Sequence, residues 1–181
     1  MKLKHLATAT FCLMVAFGCS SEKDPIYKDA SADIEARVND LVNRMTLEEK
    51  ILQLNQYVLG VNTVENNFGE VVKDIPVEIG SLIYFNDHAE VRNAMQKKAM
   101  EESRLGIPIL FGHDVIHGYR TTYPIPLALA CSWNPELVRQ ASEVAAQEAY
   151  ACGVNWTFSP MVSVSRDPLW GRLMEFFGED P

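Results

Sequence analysis

The chain is polar from Ser20 to Ala30, and apolar residues then recur at helical spacing at Ile34, Val38, Leu41, Val42 and Met45. This predicts a flexible tether leading into a first helix. Thr46-Leu47-Glu48-Glu49 has the form of a capping box and predicts a second helix through Ile51, Leu52 and Leu54. Asn62 to Lys73, with Asn66-Asn67 and Gly69 and little periodicity, reads as a surface loop. From Gly80 the pattern changes. Short unbroken apolar runs at Gly80–Phe85, Pro108–Phe111 and Val154–Phe158 predict strands. Asp87 and Glu90 form a second capping box, opening a helix that runs to about Leu105 and ends at Gly106. Asn134-Pro135-Glu136 opens another, through Ala151 to Gly153. Strands without polar alternation, joined by long helices, predict a parallel sheet covered on both faces.

Among parallel α/β folds, a doubly wound sheet usually carries a glycine fingerprint after its first strand, and this chain has none. Its polar and unusual residues instead sit just behind the predicted strands, as Gly112-His113-Asp114 and as Ser159 to Pro181. A (β/α)8 barrel builds its site there. Three strands do not close a barrel, and the last residues, Gly178-Glu179-Asp180-Pro181, come after a loop with no closing element, so the chain is expected to be the front portion of one.

The first residues change the picture of where the protein resides. Lys2 and Lys4 precede a largely apolar run, Leu6 to Phe17, too short to cross a bilayer, and Ala16-Phe17-Gly18-Cys19 resembles a lipoprotein box. The expected organisation is a lipoprotein signal peptide at 1–18, a flexible tether at 19–31 with Cys19 lipidated, and the barrel portion at 32–181. Membrane contact would be through the lipid anchor, in the periplasm or on the outer membrane of a Gram-negative bacterium. With 48% hydrophobic and 22% charged residues the rest has a globular composition. Removing Lys2 and Lys4 and no acid leaves 14 basic against 24 acidic residues, a net charge of −10 that argues against nucleic acid as a partner. Beyond Cys12 and Cys19 the cysteines are Cys131 and Cys152, expected as two separately buried thiols rather than a disulfide.

Two clusters carry candidate chemistry. The first is His113-Asp114-Val115-Ile116-His117-Gly118-Tyr119-Arg120. Histidines four apart suit a metal if they lie on one helix face, but a segment that leaves a strand and meets Gly118 is predicted to be loop, with His117 as a hydrogen-bonded clamp. Asp114 is the stronger candidate, because a carboxylate at a strand mouth accepts hydroxyl hydrogen bonds from a polyol; the structural alternative is a salt bridge to Arg120 or another basic residue nearby. The second cluster runs from Phe158 through Arg166-Asp167-Pro168-Leu169-Trp170-Gly171-Arg172 to Glu175 and Gly178-Glu179-Asp180-Pro181. Arg166 and Asp167 are expected to pair and order the loop, Trp170 to pack beneath it, and Arg172 to face a hydroxyl-rich ligand.

The ordered set Gly106–Thr121, Tyr123–Ala130, Ser159-Pro160-Met161-Val162, Arg166–Arg172 and Gly178–Pro181 resembles the N-terminal barrel of glycoside hydrolase family 3, and within it the periplasmic β-glucosidases. The resemblance runs from about Ile34 to the last residue. It implies a retaining, exo-acting glycosidase that removes a terminal non-reducing β-glucosyl or related residue from an oligosaccharide or glucoside. An Asp attacks the anomeric carbon and a Glu serves as acid and then base, the two about 5 Å apart. In the family both lie downstream of the positions matched here, as does a Lys-His pair that grips the sugar, so no catalytic residue is assigned in this chain. Asp114 and Arg172 match the family's sugar-binding carboxylate and its guanidinium partner. Ser163 and Leu169 depart from the Asp and Arg common at those places. The resemblance implies neither a metal nor another cofactor. Two alternatives stand beside it: a non-catalytic glycan-binding envelope lipoprotein, and a metal-dependent barrel hydrolase using His113 and His117.

Overall fold

A computed structural model describes residues 24–59, 75–85 and 88–180. Residues 1–18 with the proposed signal, Cys19, the predicted loop at 62–73 and Asp87 lie outside the described residues. The chain divides into two units between Arg44 and Met45. In the first, helix α1 (Ile34–Arg44) starts where Asp33 Oδ1 accepts a hydrogen bond from Ala36 N at 3.0 Å. A 3-10 turn, Ile26–Lys28, is held on this helix: Tyr27 N donates to Asp40 Oδ2 at 3.1 Å, and Arg37 Nε donates to Tyr27 O at 3.2 Å. Order therefore begins inside the stretch predicted as tether, because Asp40 and Arg37 satisfy the backbone of Tyr27. Ile34, Val38 and Val42 have the predicted helical spacing but are exposed.

The second unit opens with α2 (Leu47–Gln53), and its capping box is formed as the sequence predicts, with Glu49 N donating to Thr46 Oγ1 and Thr46 N to Glu49 Oε2. The chain then makes β1 (Gln56–Leu59), β2 (Ser81–Tyr84), α3 (Ala89–Glu102), β3 (Leu110–His113), α4 (Pro126–Ala130), α5 (Pro135–Ala151) and β4 (Trp156–Thr157). The four strands form one parallel sheet in the order β1-β2-β3-β4. This is the α/β architecture with consecutive neighbouring strands expected of a barrel wall.

Packing explains where the elements differ from prediction. β3 begins two residues later than the apolar run because Pro108 has no N–H, and Ile109 is tied off the sheet by Gln96, which accepts from its N at 2.8 Å and donates to its O. α3 ends at Glu102, three residues early, because Ser103 Oγ donates to Ala99 O at 2.6 Å and accepts from Gly106 N at 3.0 Å. Its first residue is Ala89, after His88 rather than after Asp87. α5 starts as predicted, with Asn134 Oδ1 accepting from Leu137 N.

Two apolar clusters hold the unit together. Ile79, Leu82, Tyr84, Val91, Met95, Ala99, Ile109 and Phe111 join the sheet to α3, and Val115, Ala145, Ala149 and Val154 join the segment after β3 to α5. Gly112 in β3 leaves room for the chain beyond β4, since a Cβ there would lie 2.7 Å from Phe158 Cζ. Both remaining cysteines are free thiols, but only Cys152 is buried; Cys131 sits exposed at the end of α4, against the expectation that both would be interior. Because the strands among the described residues are parallel, the segments after β2, β3 and β4 leave the sheet at one edge.

Candidate functional site

At that edge His113 ends β3 and Asp114 comes next, exposed. His113 Nδ1 lies 2.8 Å from Asp114 O, and since a carbonyl only accepts, Nδ1 carries the proton. Its ring stands edge-on between Phe85 (centroids 5.6 Å apart) and Tyr119 (5.1 Å). The next residues form a fastened loop. His117 Nδ1 donates to Tyr123 O at 3.0 Å, and Tyr123 N donates to His117 O at 2.7 Å. Gly118 pairs with Thr122 at φ +125°, and a Cβ on it would come within 2.0 Å of Thr121 O, so only glycine makes this turn.

From α5, Glu148 completes the loop by accepting from Arg120 N at 2.9 Å, Thr121 N at 2.8 Å and Thr121 Oγ1 at 2.6 Å. The Thr121 hydroxyl first, then these backbone donors, hold its carboxyl below the usual carboxylate range. His117 is thus a loop clamp, as expected. The four-residue histidine spacing does not become a helix face, because residues 114–119 are loop. Among the described residues no three His, Cys, Asp or Glu side chains group as metal ligands.

The loop after β4 supplies the second half. It closes on itself where Ser165 N donates to Gly178 O at 3.3 Å. Arg166 and Asp167 do not form the expected ion pair among the described residues. Asp167 Oδ1 accepts from Leu169 N at 2.9 Å and Asp167 O from Trp170 N, so the aspartate orders the loop through backbone bonds and Arg166 stays exposed. Trp170 stacks on Phe176 at 4.8 Å between centroids, and Phe176 is 1% exposed. One face of the indole is packed as predicted, while the side chain as a whole keeps substantial exposure. Ser163 and Leu169, the two departures from the family pattern, are exposed.

Arg172 precedes a 3-10 turn, Leu173–Glu175. Its Nε donates to Glu175 Oε1 at 2.9 Å and its Nη2 to Glu175 Oε2 at 2.5 Å. These hydrogen bonds, then the charge of Glu175 and a contribution from that of Asp114, raise the pKa of Arg172, and the same pairing lowers that of Glu175. Asp114 and Arg172, chosen from two distant stretches of sequence, are therefore close enough for one charge to act on the other. Glu175 is the residue that sequence reasoning passed over. Its signal was available as an Arg-x-x-Glu spacing directly after Trp-Gly.

An acceptor-only carboxylate within electrostatic range of a donor-only guanidinium suits a ligand with vicinal hydroxyls, which can donate to the first and accept from the second. A groove of about 790 Å³ lies elsewhere. It lies along α5 and the strip after β4, with Ala141, Ala145, Ala149, Trp156 and Met161 in its lining, and neither Asp114 nor Arg172 touches it. Its walls are mostly apolar, with His117, Asn155, Thr157 and Asp180 among the polar residues.

Residues 46–181 match the family model described as the N-terminal domain of glycosyl hydrolase family 3. The chain is 44% identical over 146 residues to a periplasmic beta-glucosidase of Salmonella typhimurium strain LT2, covering 81% of this chain and 19% of that protein. It is 32% identical over 206 residues to beta-glucosidase C of Emericella nidulans, covering 98% of this chain and 33% of the relative. A beta-glucosidase from Listeria innocua, solved in complex with laminaribiose, superposes with a TM-score of 0.71 at 42% identity, over 82% of this chain and 22% of that one. The chain thus spans 19% to 33% of the length of these relatives.

Proposed function

The chain belongs to glycoside hydrolase family 3, and on that footing we propose that it supplies the terminal-sugar grip of a retaining, exo-acting β-glucosidase. What supports this is that the charge of Asp114 acts on Arg172, the two standing on separately fastened loops at the C-terminal edge of a parallel sheet. Asp114 accepts and Arg172 donates, so between them they orient a ring bearing adjacent hydroxyls. The beta-glucosidase from Listeria innocua was solved with laminaribiose and with glucose, which supports glucosyl residues as the substrate class.

The covalent chemistry needs two further carboxyl groups about 5 Å apart. We assign both to the remainder of a longer protein, so residues 1–181 alone turn over no substrate. In the complete enzyme the nucleophile breaks the bond to the leaving sugar with one inversion and water restores the configuration with a second. Monitoring hydrolysis of an aryl β-glucoside by proton NMR is expected to show the β-anomer of glucose first, with the α-anomer growing only as mutarotation proceeds. The α-anomer appearing first would refute retention, and no hydrolysis of any aryl β-glycoside would refute the activity.

The same proposal places the protein in the envelope of a Gram-negative bacterium. Support comes from the basic, then apolar start leading to Cys19 and from the periplasmic Salmonella relative. Cells given a radioactive fatty acid are expected to label the protein, and Cys19→Ala is expected to abolish the label. Equal labelling of both would refute the lipid anchor.

A further inference from the structure

We propose that Glu175 is a positioning residue for the sugar grip, acting on substrate only through Arg172 by fixing the plane and edge of its guanidinium. This rests on the glycosidase reading above. The geometry that carries it is local. A 3-10 turn has three residues per turn, so side chains at positions 172 and 175 lie on one side, one above the other. Glu175 takes Nε–H and one Nη2–H of Arg172 in a two-point contact. Among the described residues both Nη1 protons and the outer Nη2 proton are left over, all on the edge away from Glu175, where a ligand can use them.

The two partners are unequally shielded, with 56% of the Arg172 side chain exposed against 22% of Glu175. The ion pairs of Arg139 on α5 look different: its partners Glu136 and Glu143 are about as exposed as Arg139 itself. Glu175 is thus a shielded backing group behind an outward-facing cation, as Glu49 is behind Arg104 and Asp40 behind Arg44. The turn beneath is anchored by buried Phe176 against Trp170, and Leu173 N donates to Trp170 O at 3.0 Å. A guanidinium held in this way meets the substrate already oriented.

The test is a double-mutant cycle in the full-length enzyme on an aryl β-glucoside, with Glu175→Gln, Arg172→Ala and the two combined. Glu175→Gln keeps the shape and loses the charge and one acceptor. It is expected to lower kcat/KM by about 10–100-fold, mainly through kcat, with the thermal midpoint within about one degree of the parent. In the Arg172→Ala background the same change is expected to cost less than about twofold, because there is no guanidinium left to aim. Glu175→Asp retains a carboxylate and is expected to recover part of the loss.

Equal losses in the two backgrounds, or no loss in the single variant, would overturn the positioning role. Near-parental activity of Arg172→Ala would instead overturn the sugar grip itself, which separates the two failures. If Glu175→Gln does not accumulate, Glu175→Asp runs the same cycle with the same criterion.

Discussion

Replacing Asp114 by alanine in the full-length enzyme is expected to cut kcat/KM on an aryl β-glucoside by about 10²–10⁴-fold, from the loss of two charge-assisted hydroxyl hydrogen bonds. The expectation rests on what the carboxylate is not doing. Among the described residues its side chain makes no hydrogen bond or ion pair, although it comes directly after a buried strand and its own carbonyl is engaged by His113. The surrounding loop is secured by other groups, namely His117, Tyr123, Gly118 and Glu148. A charged group left free inside an otherwise fastened loop is available to a ligand. For the same reason the substitution should leave the thermal midpoint almost unmoved, as for an ordinary surface change. Hydroxyl contacts that tighten as the ring distorts act on the transition state, so the loss should appear in kcat as well as in KM. Asp114→Asn should recover only part of the loss, because it keeps one acceptor oxygen but not the charge or the second acceptor. Near-normal turnover by Asp114→Ala would reject the assignment, and a large fall in midpoint would reassign Asp114 to the scaffold.

How much could be read from the sequence depended on the range of the interactions involved. Local hydrogen-bonding devices were legible: the Thr46/Glu49 capping box and the Asn134 cap form where their residue types and spacings place them. The parallel sheet was legible because β2 and β3 are apolar without alternation. β1 was missed because its apolar part, Tyr57-Val58-Leu59, is only three residues long and follows α2 after a two-residue break, so the run merges with the apolar positions of the helix before it. α4 has five residues, too few for helical periodicity to show. The pair Asp114 and Arg172 could be nominated only from their places behind β3 and β4 and from family resemblance, since nothing local connects two such distant positions. Glu175 and Glu148 illustrate the rest. The first could have been found from its three-residue spacing to Arg172. The second holds a loop from 27 residues away and is visible only once α5 is folded against that loop.

Arg92 belongs to the least legible class, and it carries the largest stability effect expected in the described residues. In sequence it is one more charge in an amphipathic helix; in the fold it is 2% exposed. Its Nη1 donates to Cys152 O at 2.7 Å, its Nη2 to Tyr84 O at 3.1 Å and more weakly to the Tyr119 hydroxyl at 3.5 Å, and its Cζ lies 5.0 Å from the centre of the Tyr84 ring. One planar fork therefore ties the end of β2, the end of α5 and the loop that carries Asp114, a task for which the single ammonium of lysine has no geometry. Arg92→Met preserves length and most of the volume but takes one donor away from each of two buried carbonyls. The penalty for those carbonyls is partly offset because the cation no longer has to be kept from water. A net destabilisation of about 3 kcal/mol is expected. It is measured as a lowered urea or thermal midpoint of the transition in which this domain unfolds. Arg92→Lys, able to satisfy one carbonyl, should fall between the parent and Arg92→Met. A midpoint for Arg92→Met equal to the parent's would show that the three elements hold together by apolar packing alone, and that the fork is incidental to the loop on which Asp114 stands.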